Sequence, residues 1–424
     1  MTIEEADPSA AARVLFGNWT GRSTVPSHSL YPHQWSWDSA FIAIGLRHLS
    51  PQRAQVELES LFESQWADGR IPHINFSPSV PRDAYFPGPD FWQASTPSGV
   101  ETSGIVQPPV HALAVWLAHQ ADEQESVRRN FLAGAYPKLV AWHAYLREHR
   151  DLGGRGLVAI VHPWESGMDN SPAWDKALAR VEPAPAGSFT RRDTDHAEDA
   201  DRPTDLDYGR YVQLAATYRD HRYDDAATPF AFALEDPCFN ALLIASEHAL
   251  ASVAKALSLD PAPHLQAAAE LTAALVKELF ADGIFRSRDL ADGELVAADT
   301  VAGLIPLLID KLPVATELLT TARGPRFRLG EVRMVPSYDL TGPAFEPGRY
   351  WRGPSWFNTA WLIHRGLVGL GQAELADALR TDVLELAAAT DFAEYVDPYT
   401  GEARGARDFS WTAALALDLE RAQL

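Results

Sequence analysis

Apolar residues recur at helical spacing from one end of the chain to the other, while the alternation of a half-buried strand is scarce. The spacing predicts helices over 2–16, 38–48, 51–67, 109–120, 125–149, 205–218, 236–257 and 261–280. A short pair at 299–310 and 313–322 follows, then 354–370, 373–389 and 408–422. Several starts carry a cap-then-proline signal, in which proline occupies the first helical position, where its missing N–H costs nothing: Ser50-Pro51, Asp236-Pro237 and Asp260-Pro261. Pro109 and Pro354 open two more helices, and Asp38 or Ser39 is expected to cap 38–48. Short strands are expected only near 282–287 and 331–336.

About a dozen helices in adjacent pairs, without a βαβ pattern, exclude a parallel-sheet enzyme. No sequence period of a helical repeat is present, so an open solenoid is also disfavoured. The expectation is an all-α fold, an (α/α)6 barrel forming one catalytic domain over 1–424. Long non-helical stretches interrupt it at 17–37, 68–106, 151–166, 183–204 and 323–353. Loops this long are functional or disordered, and four of the five carry clustered aromatic rings, which argues for function. The fifth, 183–204, is rich in Pro, Asp and Ala and is expected to act as a mobile lid.

Composition narrows the function classes. With 424 residues, 46% apolar and 22% charged, the chain reads as a soluble globular protein. No apolar run approaches the roughly 18 residues of a membrane span, and the acidic N-terminus lacks a basic-then-apolar leader. The single cysteine, Cys238, reads as a buried small hydrophobe, so the expected compartment is the cytoplasm. A net charge of -21 argues against nucleic acid as a partner and requires any anionic ligand to be caught by placed arginines. Whether copies associate as a homo-oligomer is left open. Thirteen Trp and thirty Pro exceed what a core needs, and aromatic rings beside hydrogen-bonding side chains suit sugars.

The candidate chemistry is concentrated in HPWESGMDNSPAWD, residues 162–175. Glu165 and Asp169 stand there among Trp, Gly, Pro and Met, a setting that suits a desolvated cleft and a raised carboxyl pKa. A capped turn whose acids hold backbone amides fits equally well. Four further clusters stand beside it: YPHQWSWDSAF (31–41), DAYFPGPDFW (83–92), GRYWRGPSW (348–356) and DFAEYVDPYTGE (391–402), the last holding Glu394, Asp397 and Glu402. Two acid-bearing aromatic loops brought face to face would supply the carboxyl pair of a glycosidase. The sequence lacks a Gly-rich phosphate loop, a nucleophile elbow and HExxH, and His33, His73, His111 and His162 lack metal-ligand spacing. No metal or cofactor is expected.

The segments YPHQWSWDSAF, HPWESGMDNSP, YWRGPSWFNTAW and AEYVDPYTGE with FSWTAAL resemble glycoside hydrolase family 63, and among its members the short bacterial glucosylglycerate and mannosylglycerate hydrolases. The resemblance implies an (α/α)6 barrel and an inverting mechanism, with Asp169 as general acid and Glu394 as general base. It places Glu165 and Asp397 in loop positioning or hydroxyl binding. It implies that Trp35, Trp37, Asp38, Trp164, Trp351 and Arg352 line a hexose pocket. It also implies that Tyr31, Tyr85, Gln107, Arg202, Tyr208 and Tyr350 hold glycerate, giving a small anionic sugar as the substrate. Ala403 stands where a glycine is expected, and Met168 is a conservative variant. The readings carried alongside are an α-glucosidase for small disaccharides, a sugar epimerase or lyase on a helical toroid, and a non-catalytic sugar binder.

Overall fold

Helices pair off along nearly the whole chain in a computed structural model that describes residues 9–185, 187–194 and 201–421. The helices of six or more residues are α1 (Ala10–Gly17), α2 (Ser36–Leu46), α3 (Pro51–Phe62), α4 (His111–Ala121), α5 (Glu123–Arg128) and α6 (Phe131–His149). They continue as α7 (Asp205–Asp220), α8 (Pro237–Ala256), α9 (Ala262–Leu279), α10 (Ala315–Arg323), α11 (Phe357–Gly369), α12 (Ala373–Ala389) and α13 (Ser410–Arg421). Of the expected first helix, 2–16, the part before residue 9 lies outside the described residues, and so do 186 and 195–200 of the expected lid loop.

Six segments pack side by side in a closed inner ring, in the order α2, α4, α8, residues 301–308, α11, α13 and back to α2. Helices α1, α3, α6, α9, α10 and α12 form the outer layer. This is the expected (α/α)6 toroid. Its inner helices are buried almost all round, so they lack a polar stripe: every residue of α2 is buried, as are ten of the thirteen in α11. Edge-to-face rings fill the bore, with Trp37 against Phe41 and Trp411 at 5.6 Å each, and Phe41 against Trp361 at 6.0 Å.

Three expectations are corrected. The stripe over 125–149 is two helices, broken where Asn130 turns left-handed (φ 53°), a conformation asparagine tolerates. The sixth inner segment consists of two 3-10 turns, Val301–Gly303 and Ile305–Leu308, because Gly303 and Pro306 interrupt an α-helical ladder. Asp38 does not cap α2: Trp35 holds the cap position, fixed by strand pairing to Ile74, and Asp38 falls in the first turn.

The strands are two-residue pieces at the mouths of the helices, too short to leave an alternation in the sequence. Gln34–Trp35 runs into α2, Leu234–Glu235 precedes α8, and Ser355–Trp356 enters α11. The strand expected near 282–287 is present as Ile284–Phe285, paired with Phe280–Ala281. Near 331–336 there is only a single bridge, Pro336 to Ser355. Ser355–Trp356 pairs with Tyr395–Val396, which brings the segment carrying Glu394 to the entrance of α11. The starts of α2 and α13, and the loops before α4 and α11, therefore line one cavity.

Candidate active site

The cavity at this end of the ring is lined by Tyr31, Trp35, Trp37, Asp38, Tyr85, Gln107, Trp164, Asp169, Tyr350 and Glu394, all expected from sequence. Pro26, His73, Gly167, Phe409 and Trp411 complete the wall.

Asp169 is delivered by a tightly bonded turn. The strand Ala159–Ile160 leads into a 3-10 turn, Pro163–Ser166, capped by His162, whose Nδ1 accepts the Trp164 N–H at 3.0 Å. Ser166 Oγ donates to the Pro163 carbonyl at 2.6 Å and accepts the Met168 N–H at 2.8 Å. Gly167 ends the turn at φ +68°, and a Cβ there would meet the Trp37 ring at 2.4 Å, so only glycine fits both the conformation and the contact. The Trp174 indole donates to the Met168 carbonyl and the Tyr211 hydroxyl to the Asp169 carbonyl, both at 2.8 Å. The backbone around Asp169 is thus fixed while its carboxyl faces the cavity. Burial pushes that carboxyl up to about 7, Arg202 opposes the rise and Glu394 adds to it.

Glu394 lines the same cavity and is 1% exposed. Its Oε1 accepts the hydroxyls of Tyr350 at 3.1 Å and Tyr31 at 3.2 Å, and its Oε2 accepts the Ala406 N–H at 3.2 Å. Gly405, at φ +69°, lies flat against the carboxylate: a Cβ there would sit 2.4 Å from Oε2. Burial raises the pKa of Glu394, and Arg202, the Ala406 amide and the two phenols hold the rise back. Asp38 lines the cavity as a third carboxyl, pushed up by burial and by the charges of Glu394 and Asp169.

The walls suit a sugar. The Trp35 ring meets Tyr31 and Tyr85 edge-on at 5.3 and 5.2 Å, and Trp164 stacks parallel to His73 at 6.3 Å. Gln107 spends its carbonyl on the Trp37 N–H at 3.2 Å. Its amide N–H groups are thereby turned away from that bond and available as donors. Burial holds His73 well below its usual range, as a neutral imidazole bonded through Nδ1 to Ser103 Oγ at 2.9 Å.

Four expected site residues stand behind this surface. Trp351 is stacked on Trp356 at 3.8 Å and almost parallel, and it is 1% exposed. Arg352 forms a two-pronged ion pair with Asp175. Both point away from the cavity, and of the turn GRYWRG only Tyr350 lines it. The Tyr208 hydroxyl donates to the Phe86 carbonyl at 3.0 Å, and its ring backs Trp164 at 6.1 Å. Arg202 lies directly behind Glu394: Nη1 donates to the Tyr31 hydroxyl at 3.2 Å, Nη2 is 3.9 Å from Glu394, and the guanidinium covers the Tyr350 ring at 4.4 Å. Its Nε and Nη2 have no hydrogen-bond partner among the described residues.

Of the five lining residues that sequence reasoning missed, Phe409 and Trp411 lie in FSWTAAL, whose aromatic pair ahead of an apolar helix was a usable signal. His73 sits in the apolar IPHINF, where a lone imidazole gives no such signal. Glu165 is buried and paired with Arg150, Asp397 caps a turn by accepting the Tyr399 and Thr400 N–H groups, and Glu402 is exposed beside Arg404. Among the described residues no group of three or more His, Cys, Asp or Glu side chains is arranged to hold a metal ion. Likewise, no helix is long and apolar enough to cross a membrane.

The chain matches known proteins over nearly its whole length. Residues 31–412 match the family described as mannosylglycerate hydrolase MGH1-like glycoside hydrolase domain. The chain is 42% identical over 426 residues to the mannosylglycerate hydrolase of Rubrobacter radiotolerans, covering 96% of this chain and 95% of that one. It is 40% identical over 436 residues to the glucosylglycerate hydrolase of Mycolicibacterium hassiacum, covering 96% of each. The GH63 mannosylglycerate hydrolase of Thermus thermophilus, solved in complex with Tris and D-glycerate, superimposes with a TM-score of 0.90 at 42% identity, over 97% of this chain and 99% of that one.

Proposed function

The chain belongs to the mannosylglycerate hydrolase MGH1-like family of glycoside hydrolases, within family 63, and we propose that it hydrolyses α-glucosylglycerate or α-mannosylglycerate to hexose and glycerate with inversion. One observation carries this reading. Asp169, with a pKa near 7, and Glu394, held as a carboxylate by two phenols and an amide, open into one aromatic cavity with a buried arginine behind the base.

Asp169 enters the reaction protonated and gives its proton to the glycosidic oxygen as the bond to the anomeric carbon breaks. Glu394 takes a proton from the water that attacks the opposite face, so the sugar leaves with inverted configuration. The rings of Trp35, Trp37 and Trp164, together with Asp38 and Gln107, hold the hexose, while Tyr31, Tyr85 and Tyr350 border the glycerate. Arg202, behind Tyr31 and Tyr350, supplies the positive charge that draws the glycerate carboxylate, which an acidic protein could not otherwise attract, and this weighs against a neutral disaccharide as the preferred substrate. Trp351, Arg352 and Tyr208 act by supporting the wall. The whole chain acts as one catalytic domain, in the cytoplasm.

The test is hydrolysis of glucosylglycerate and mannosylglycerate side by side by the wild type, Asp169→Asn and Glu394→Gln. Turnover of at least one substrate, lost in both variants, supports the reading. Unchanged turnover in Asp169→Asn overturns it.

A further inference from the structure

Behind the cavity, and touching none of its contents, lies a buried network of charges that the proposed reaction does not use. Arg150, at the end of α6, and Glu165, in the turn that carries Asp169, both have fully buried side chains. They pair through two parallel bonds, Nη1 to Oε2 at 2.8 Å and Nη2 to Oε1 at 2.9 Å. The carboxylate of Glu165 also accepts two backbone amides. Oε2 takes Val161 N–H at 2.8 Å, at the start of the Asp169 turn, and Oε1 takes Val106 N–H at 3.3 Å, one residue before Gln107.

Arg150 is itself fixed from the other side. Its Nε donates to Asp225 at 2.7 Å, and Asp225 also accepts the hydroxyls of Tyr145 at 2.8 Å and Tyr218 at 2.5 Å. Arg70 lies 3.6 Å from Asp225 and bonds the carbonyls of Gly104 and Tyr223 and the side chain of Asp68. Two arginines therefore balance two buried carboxylates, with Asp68 at the rim.

Well-packed apolar side chains could stabilise such a site as well as buried ion pairs do. What the pair supplies is a fixed direction. A single 3-10 turn has poor internal hydrogen-bond geometry and little rigidity of its own. Here that turn, with Glu165 four residues before Asp169, must hold a proton donor within hydrogen-bond reach of one oxygen.

We infer that Glu165 is a positioning residue for proton donation, and that its two-pronged pair with Arg150 locks the Asp169 turn to the segment before Gln107. The inference rests on Asp169 being the general acid, and the test separates the two claims. Glu165→Gln keeps the size of the side chain but turns an amide N–H₂ toward the donors of Arg150, so the turn shifts.

Two substrates are compared for each variant: the hexosylglycerate the wild type turns over, whose leaving oxygen needs a proton, and the α-fluoride of the same hexose, whose leaving group needs little protonation. Glu165→Gln is expected to lower kcat on the glycoside about 30- to 100-fold, with KM within about threefold and fluoride turnover falling far less. Arg150→Lys, which keeps the charge but cannot form two parallel bonds, should show the same selective loss, and it carries the test if Glu165→Gln does not fold. Asp169→Asn calibrates the assay by losing glycoside turnover far more than fluoride turnover. An equal fall on both substrates in folded Glu165→Gln or Arg150→Lys, with Asp169→Asn still selective, overturns the positioning role alone. Unchanged glycoside turnover in Asp169→Asn overturns the assignment of the acid beneath it.

Discussion

Arg202 and Glu394 stand 3.9 Å apart with their side chains 3% and 1% exposed, and the Tyr31 hydroxyl bridges them, accepting from one and donating to the other at 3.2 Å each. The cation that would recognise the substrate's carboxylate is thus in electrostatic contact with the base. Two effects should follow from Arg202→Ala. The glycerate carboxylate loses its partner, so kcat/KM on hexosylglycerates should fall roughly 100- to 1,000-fold, as expected when one member of a buried charge pair is truncated. Loss of the cation also lets the pKa of Glu394 rise further, which moves the acid limb of the profile to higher pH for every substrate. Steady-state kinetics on a hexosylglycerate and a neutral α-disaccharide, each across pH, check both effects. Equal losses on the two substrates at the optimum would remove Arg202 from aglycone recognition.

The pH dependence follows from the two carboxyls. In the proposed mechanism, activity requires Asp169 protonated and Glu394 ionised. With Asp169 raised to about 7 by burial, kcat/KM should fall on the basic side with a midpoint near 7, and on the acid side with a midpoint above the ordinary glutamate value of 4.5. The groups that set the Asp169 value are Arg202, Glu394 and Asp193. A bell-shaped profile from initial rates is the expected outcome, and a basic limb above pH 9 would show that Asp169 is not the proton donor.

The same shift has a cost in stability with a definite sign. Asp169 ionises near 3.8 in the unfolded chain and near 7 in the folded one, so between these values the folded state holds the extra proton. Stability contributed by the protonated group is complete below pH 3.8, falls as pH rises toward 7 and is lost above it. Asp169→Asn removes the ionisation and should therefore stabilise the protein at pH 8 while leaving it nearly unchanged at pH 4. Because Asp169 faces an accessible cavity, the gain at pH 8 is discounted to about 1–3 kcal/mol. Thermal melts of wild type and variant at the two pH values measure it, and a destabilised variant at pH 8 would contradict the shift.

Where the sequence was readable, the reason is local. Ser50 and Asp236 cap α3 and α8 through side-chain oxygens bonded to Arg53 and Phe239 N–H groups, as the cap-then-proline pattern implies. The inner ring was legible because helices buried all round must pack against other helices. What escaped was set by distant partners. Asp38 looked like a cap until the pairing of Trp35 with Ile74 fixed the chain before it, and in the structure it lines the cavity. Glu165 and Asp169 are one helical turn apart and indistinguishable in composition. Arg150, folded in from α6, takes the first out of the cavity and leaves the second facing it. Trp351 and Arg352 sit between cavity residues in sequence, but the turn rotates them onto Trp356 and Asp175.

Stereochemistry tests the division of labour between the two carboxyls. Oε1 of Glu394 accepts two phenolic hydroxyls, and Oε2 accepts the Ala406 N–H while packed against Gly405, whose missing side chain leaves the carboxylate just enough room. In the proposed reaction this carboxylate takes a proton from a water, and the water, not the protein, forms the new bond to carbon. Displacement of an α-linked glycerate by that water gives the β-hexose first, with the α-anomer arising only by later mutarotation. A proton NMR time course with enough enzyme to outrun mutarotation should show the β signal growing ahead of the α signal, and the reverse order would exclude inversion.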